Sequence, residues 1–210
     1  MMKRRRFRDD VELSVVGFGG MVVVGMDQTD VNSLVDNVIG AGVNYFDVAP
    51  QYGDGEAEIK MGEALKSHRE DIFLACKTLK RDAEGSKREL MRSLNRLHTE
   101  YFDLYQLHSV STMEDVEEIF APGGAIETFL MAKEKGLAKY LGFSSHLKAV
   151  ALDLLERFRF DSILFPTNFV CWYKGGFGPK VLQKAEKQGV SCLALKSLAL
   201  RPWTDDEEQV

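Results

Sequence analysis

Between residues 43 and 107 the chain carries three short apolar runs, VNYFDV (43–48), IFLACK (72–77) and YFDLYQL (101–107), whose first residues, Val43, Ile72 and Tyr101, stand 29 residues apart. Each has the length and the β-branched and aromatic content of a buried strand. A fixed period of this size signals one supersecondary unit repeated along the chain. The same step separates Asp161 of DSILFPT (161–167) from Val190 of VSCLAL (190–195), and LSVVGFG (13–19) and AKYLGFS (138–144) complete a set of seven.

Segments with helical period fill the gaps. Within 29–42, Val31, Leu34, Val35, Val38 and Ile39 make one apolar face; Thr29 or Asp30 can cap its start and Gly40 or Gly42 can end it. Segment 86–98 repeats the pattern with Leu90, Met91, Leu94 and Leu97, and Ser86 with Glu89 fits a capping box. Segments 56–67, 124–136, 147–157 and 179–189 read alike, with Gly136 and Gly189 where C-terminal caps belong. Strand alternating with helix requires parallel strands joined by helical crossovers. The two architectures of that kind are an open doubly wound sheet and a closed (β/α)8 barrel. Neither GxGxxG nor GxxxxGK[ST] is present, which weakens the dinucleotide-fold and phosphate-loop readings. The expectation is an α/β chain of TIM-barrel type, a single domain over residues 1–210.

Composition agrees. With 27 Lys+Arg against 32 Asp+Glu, the net charge of −5 gives no general affinity for nucleic acid, and no apolar run is long enough to span a membrane. The basic cluster Lys3, Arg4, Arg5, Arg6 and Arg8 reads as a solvated terminal strand. Cys76, Cys171 and Cys192 form no CxxC pair, so neither a disulfide framework nor a metal site is expected. The charged start is no signal peptide, and the cytoplasm is the expected compartment.

A barrel collects its chemistry at the C-terminal ends of its strands. There the second run delivers Asp47, followed by Gln51-Tyr52-Gly53; the third delivers Lys77; the fourth runs into His108. Alone, Asp47 reads as a loop cap and Lys77 as a solvated strand end, but an acid, a base, an imidazole and a phenol at equivalent places of adjacent units make a constellation. Tyrosine, with an ordinary pKa near 10, is a poor acid near neutrality unless an ammonium stabilises its phenolate, and a carboxylate can hold that ammonium. His108 can donate to a carbonyl oxygen and orient it.

These residues resemble the aldo-keto reductases. Tyr45 to Gly53 is similar to that family's aspartate-to-tyrosine signature, Leu74 to Thr78 to its lysine strand, Tyr101 to His108 to its histidine strand, and Gly142-Phe143-Ser144-Ser145 to its nicotinamide site. Arg5 to Gly20 resembles its opening hairpin and first strand. The resemblance runs in order over about residues 3–200 and implies hydride reduction of a small aldehyde or ketone by NADPH. It implies catalytic roles for Asp47, Tyr52, Lys77 and His108, with NADPH held by Gly20, Met21, Ser144, Ser145, Asn168, Lys196 and Ser197. Trp172 and Tyr173, beside a glycine-rich loop, suit a substrate wall, and core packing is the rival reading.

The family's sixth-strand glutamine has no counterpart in Phe165-Pro166-Thr167-Asn168, and its seventh-strand aromatic none in Ala194-Leu195-Lys196. Eight units at this period exceed 210 residues. Thr204 to Glu208 reads as a helix start with Thr204 and Glu207 as capping box, just before the last residue, Val210. The expectation is a barrel lacking its eighth strand and C-terminal segment, which by resemblance carry the 2′-phosphate site. Its open edges then invite self-association. The rival function is a non-catalytic, reductase-like binding protein; a phosphate-binding isomerase fits the constellation less well.

Overall fold

The computed structural model describes residues 2–173 and 176–197. The helix start at Thr204–Glu208 lies outside them, as does part of the glycine-rich loop. An N-terminal hairpin, β1 (Arg4–Arg8) and β2 (Val11–Ser14), precedes a second sheet. That sheet holds β3 (Phe18–Gly19), β4 (Tyr45–Asp47), β5 (Phe73–Thr78), β6 (Phe102–Val110), β7 (Ala138–Ser145), β8 (Ser162–Pro166) and β9 (Ser191–Leu195). All seven are parallel and lie in chain order, the arrangement the repeat predicts; β3 and β9 are the two edges among the described residues. The helices are α1 (Gln28–Gly40), α2 (Glu56–Leu65), α3 (Ala83–Arg96), α4 (Met113–Phe120), α5 (Ala125–Glu134), α6 (Lys148–Arg157), α7 (Phe169–Tyr173) and α8 (Pro179–Lys187). None is long and apolar enough to cross a membrane.

The period is the pairing register seen along the chain: Ala75 faces Leu104, and Ser162 faces Ser191. The step lengthens between β6 and β7, where Phe102 faces Ala138, and shortens between β7 and β8, where Gly142 faces Ser162.

Alternation along the strands builds two cores. Phe46, Leu74, Cys76, Tyr105, Leu107 and Phe143 point outward under the helices in one. Tyr45, Phe73, Ala75 and Leu104 point inward, where Phe7 and Leu13 of the hairpin plug the barrel floor. Phe7 meets Phe73 edge-on at 5.1 Å and Tyr140 at 5.4 Å. The terminal basic cluster divides: Arg4, Arg5 and Arg6 are exposed, whereas Arg8 pairs with Asp161 at 3.2 Å and donates to Gly189 O, tying the plug to the barrel.

Three local readings are corrected. The run 13–19 is two strands: Leu13 and Ser14 end the hairpin and Phe18–Gly19 start the barrel. Ser14 is pinned by reciprocal bonds with Asn44 (2.7 and 3.1 Å), the chain bends at Val15 and Val16, and at Gly17 it passes so close to Tyr45 that a Cβ would stand 2.3 Å from that ring. Helix α1 starts earlier than expected, after Asp27, and neither Thr29 nor Asp30 caps it; Gly42 follows its end at φ +95°. Helix α3 is capped by Asp82, which accepts from Gly85 N at 2.6 Å, because Glu89 is drawn to the Thr78 hydroxyl and Leu79 N at the end of β5. Gly136 (φ +71°) and Gly189 (φ +67°) take the left-handed conformation expected of them.

Candidate active site

Parity decides which strand-end side chains meet. Asp47 is two residues beyond inward-facing Tyr45, Lys77 two beyond Ala75, and Gln106 and His108 two and four beyond Leu104, so all turn into the barrel near its C-terminal rim. Lys77 is 1% exposed; its ammonium is ion-paired with Asp47 Oδ1 and donates to the Tyr52 hydroxyl at 3.1 Å. Tyr52 lies in a 3-10 turn, and the next three residues, Gly53, Asp54 and Gly55, all have positive φ, reversing the chain so that Tyr52 lies over the rim. The His108 ring meets the Tyr52 ring edge-on at 6.1 Å. The four residues singled out in the sequence therefore converge.

His108 sits at a bulge. The β6–β7 register shifts between Leu107 and Val110, and Ser109 has φ +50°. Bulges re-aim side chains beside functional sites. This one is fixed from three sides: Ser144 Oγ accepts from Ser109 N at 2.7 Å, Arg81 donates to His108 O at 2.9 Å, and Asp115 holds Arg81 at 3.3 Å.

Burial by itself would lower the pKa of Lys77; the Asp47 carboxylate and then the Tyr52 oxygen outweigh it and raise it. Burial, then the positive charges of Lys77 and Arg81, push His108 down to about 3, so its ring is neutral at physiological pH. Tyr45 is pushed well up by burial and by the Asp47 charge, so its hydroxyl keeps its proton and donates to Asp47 Oδ2 at 3.1 Å. Gln106 Nε2 donates to the same oxygen at 3.3 Å.

The expected cofactor residues flank these strands on both sides: Gly20 and Met21 follow β3, whereas Ser144 and Ser145 end β7 and Asn168, Lys196 and Ser197 follow β8 and β9. Ser144 gives no hydrogen bond of its own among the described residues, while the Ser145 hydroxyl is spent on Val110 O. Asn168 accepts from Cys171 N and donates to Lys196 O, bracing the loop in which Lys196 takes φ +57°. Gly20 is buried, where a Cβ would meet the Met61 sulfur and Val48, and Met21 beside it is exposed. Ser197 is exposed. Trp172 and Tyr173 line a separate cleft with Thr167, Asn168 and Phe169, which none of the four converging residues lines. No group of three or more metal-ligating side chains occurs among the described residues.

Sequence reasoning missed Tyr45, Gln51, Gln106 and Arg81. The first and third carry a signal, since each lies two residues before an inward-facing functional residue. Gln51, whose Oε1 lies 3.0 Å from His108 Nδ1, and Arg81 carry none.

Residues 15–209 match the Aldo/keto reductase family. The chain belongs to that family. It is 33% identical over 176 residues to "Uncharacterized oxidoreductase YqkF" of Bacillus subtilis, covering 78% of this chain and 55% of that one. It is 39% identical over 111 residues to "Methylglyoxal reductase YeaE" of Escherichia coli, covering 50% of this chain and 39% of that one. Thus the chain spans about half the length, or less, of these curated relatives. The holo form of aldo-keto reductase AKR11C1 from Bacillus halodurans superposes with a TM-score of 0.81 at 30% identity, over 100% of this chain and 73% of that one. An aldo-keto reductase from Klebsiella pneumoniae, solved in complex with NADPH, superposes with 0.76 at 20% identity over 92% of this chain and 67% of that one, a likeness of fold. This family membership makes the protein an oxidoreductase-family TIM-barrel chain.

Proposed function

We propose that the protein reduces a small aldehyde or ketone to the alcohol, with NADPH as hydride source and Tyr52 as proton donor. The carrying observation is the Tyr52 hydroxyl 3.1 Å from a buried ammonium that Asp47 keeps charged. When Tyr52 gives its proton to the developing alkoxide, the phenolate is left facing Lys77, whose charge stabilises it. Asp47 maintains the ammonium against a burial that would otherwise discharge it. His108 lines the mouth beside Tyr52 and contacts the substrate.

The rim fits a dinucleotide. The His146 Nε2 is buried with no partner among the described residues, and burial and the Lys196 charge lower this ring's pKa. Lys196, Ser197, His146 and the Ser144 hydroxyl offer charge and donors on one arc, with Gly20 and Met21 on the loop after β3 and Ser145 and Asn168 shaping the backbone. NADPH, when bound, supplies the hydride.

The test is NADPH oxidation with small aldehydes, methylglyoxal among them because a relative carries that name. Tyr52→Phe should cut kcat by about 10²–10⁴-fold while the Kd for NADPH stays within about twofold of the parent. A Phe variant as active as the parent overturns the proton-donor role. A parent that oxidises no NADPH with any carbonyl overturns the activity itself.

A further inference from the structure

A run of residues at positive φ persists only where its surroundings hold it, since left-handed backbone is disfavoured for residues other than glycine. After Tyr52 the chain passes through Gly53 (φ +62°), Asp54 (φ +53°) and Gly55 (φ +93°). Two charged pairs brace this turn. Glu56 pairs with Lys60 and accepts from Gly25 N at 2.9 Å. The second pair is built on Arg96, the last residue of α3. Gly55 is buried against its guanidinium, where a Cβ would stand 2.5 Å from Cζ and 2.9 Å from Nη2. Arg96 Nη1 donates to Glu58 Oε2 at 3.0 Å, and Glu58, 0% exposed, pairs with no other cation among the described residues. The other Glu58 oxygen accepts from the Cys76 thiol at 3.8 Å, one residue before Lys77 on β5. Gly62 brings α2 onto the backbone of the same corner, where a Cβ would meet Leu97 Cα at 2.8 Å.

We propose that Arg96, held by Glu58, is the seat on which the Tyr52 turn rests, and is thereby a positioning residue for the proton donor. Its catalytic half rests on the reductase reading above. The Tyr52 hydroxyl and the Lys77 ammonium arrive on different segments, and the 3.1 Å between them is set by whatever ties those segments together. Arg96 does so from outside the mouth: its guanidinium supports Gly55, three residues after Tyr52, and through Glu58 and the Cys76 thiol it is keyed to the strand that carries Lys77. Charge alone does not make the seat. A planar guanidinium fits the slot that a residue without Cβ leaves at Gly55, and a compact ammonium on a flexible stem does not reproduce that plate.

The test is Arg96→Lys, which keeps a charge for Glu58 and removes the plate under Gly55. Arg96→Met combined with Glu58→Gln, which strands no charge, repeats it should the lysine variant fold poorly. In the NADPH assay above, kcat should fall about tenfold or more while KM and the Kd for NADPH stay within about twofold of the parent. The alkaline limb of kcat should also move to higher pH, because a phenolate set farther from Lys77 loses part of the charge that stabilises it. A smaller folded fraction lowers kcat and leaves that limb where it was. A kcat near the parent's, or a limb that does not move, overturns the positioning role.

Amide hydrogen exchange reads the seat without turnover. Tyr52 N–H donates to Ala49 O at 3.0 Å, and Glu56 N–H to the Tyr52 and Gly53 carbonyls. In both variants these two amides should exchange about tenfold faster or more, while those of β5 and β6 keep the parent's rates. Unchanged exchange in the turn, or faster exchange spread equally over β5 and β6, overturns the seat. If the parent oxidises no NADPH with any carbonyl, the reductase reading fails, and exchange alone decides whether Arg96 holds the turn.

Discussion

Replacing Asp47 by Asn removes one charge and almost no volume. What it leaves behind is the Lys77 ammonium, 1% exposed, without its counter-ion. Breaking a buried pair from one side costs about 3–5 kcal/mol. Asp47 is itself 14% exposed, and the new amide oxygen and the Tyr52 hydroxyl still accept from the ammonium, so the cost belongs at about 3 kcal/mol, the lower end of that range. That is a large share of the roughly 5–15 kcal/mol that holds a domain together. With a urea slope of about 1–3 kcal/mol/M the unfolding midpoint should fall by about 1 M or more.

The pH dependence carries the sign. In the parent the folded pKa of Lys77 is raised above its unfolded value, so its stabilisation is complete below about pH 10 and lost as pH rises through the folded pKa. In Asp47→Asn the raising partner is gone and burial pulls the folded pKa down, so the variant gains stability on the way to the unfolded value. The deficit should therefore narrow between pH 7 and 10. Circular dichroism during urea titration at pH 7, 8.5 and 10 measures it. Adding Lys77→Met should recover most of the loss, since the stranded charge is then absent. A deficit below about 1 kcal/mol, or one independent of pH, would refute a pair that is both buried and charge-dependent.

The remaining expectations are more local. Gly17→Ala sets a methyl 2.3 Å from the Tyr45 ring and should destabilise by about 1–3 kcal/mol in the same assay, whereas Gly19→Ala, with nothing within 4 Å, should not. Because His108 is held down to about 3, its ring proton resonances should stay flat from pH 8 to 5, and a midpoint near 6.5 would contradict the burial and the Lys77 and Arg81 charges invoked here. Phe7→Ala removes the floor plug packed on Phe73 and Tyr140 and should cost about 3–5 kcal/mol while leaving the rim intact; equal stability of the variant would mean the hairpin is dispensable.

What the sequence determined by itself follows from two periodicities. The 29-residue step fixes parallel strands in chain order, because each unit must return the chain to the same end before the next strand. The two-residue alternation fixes which side chains share the interior, so Asp47, Lys77 and His108 could be assigned to one rim from their positions, and Tyr45 and Gln106 could have been by the same rule. Caps read correctly where glycine alone decides, at Gly136 and Gly189, since the left-handed conformation is a backbone property of the residue itself.

The tertiary structure decided whatever depends on competition between distant partners. Glu89 could serve the start of its own helix or the end of β5, and it accepts at the end of β5, from the buried Thr78 hydroxyl and from Leu79 N. The run 13–19 was continuous in hydrophobicity, yet Asn44 pairs with Ser14 at the end of one strand, the chain bends at Val15 and Val16, and the Tyr45 ring leaves room only for a glycine at Gly17 before the next. Gln51 stands next to Tyr52 in sequence, but its partner is His108, 57 residues away on another strand. Arg81 reaches the backbone of the His108 bulge in the same way, from the loop after β5. Local pattern cannot announce such contacts, because the residue that gives each side chain its role is brought alongside only when the sheet curves.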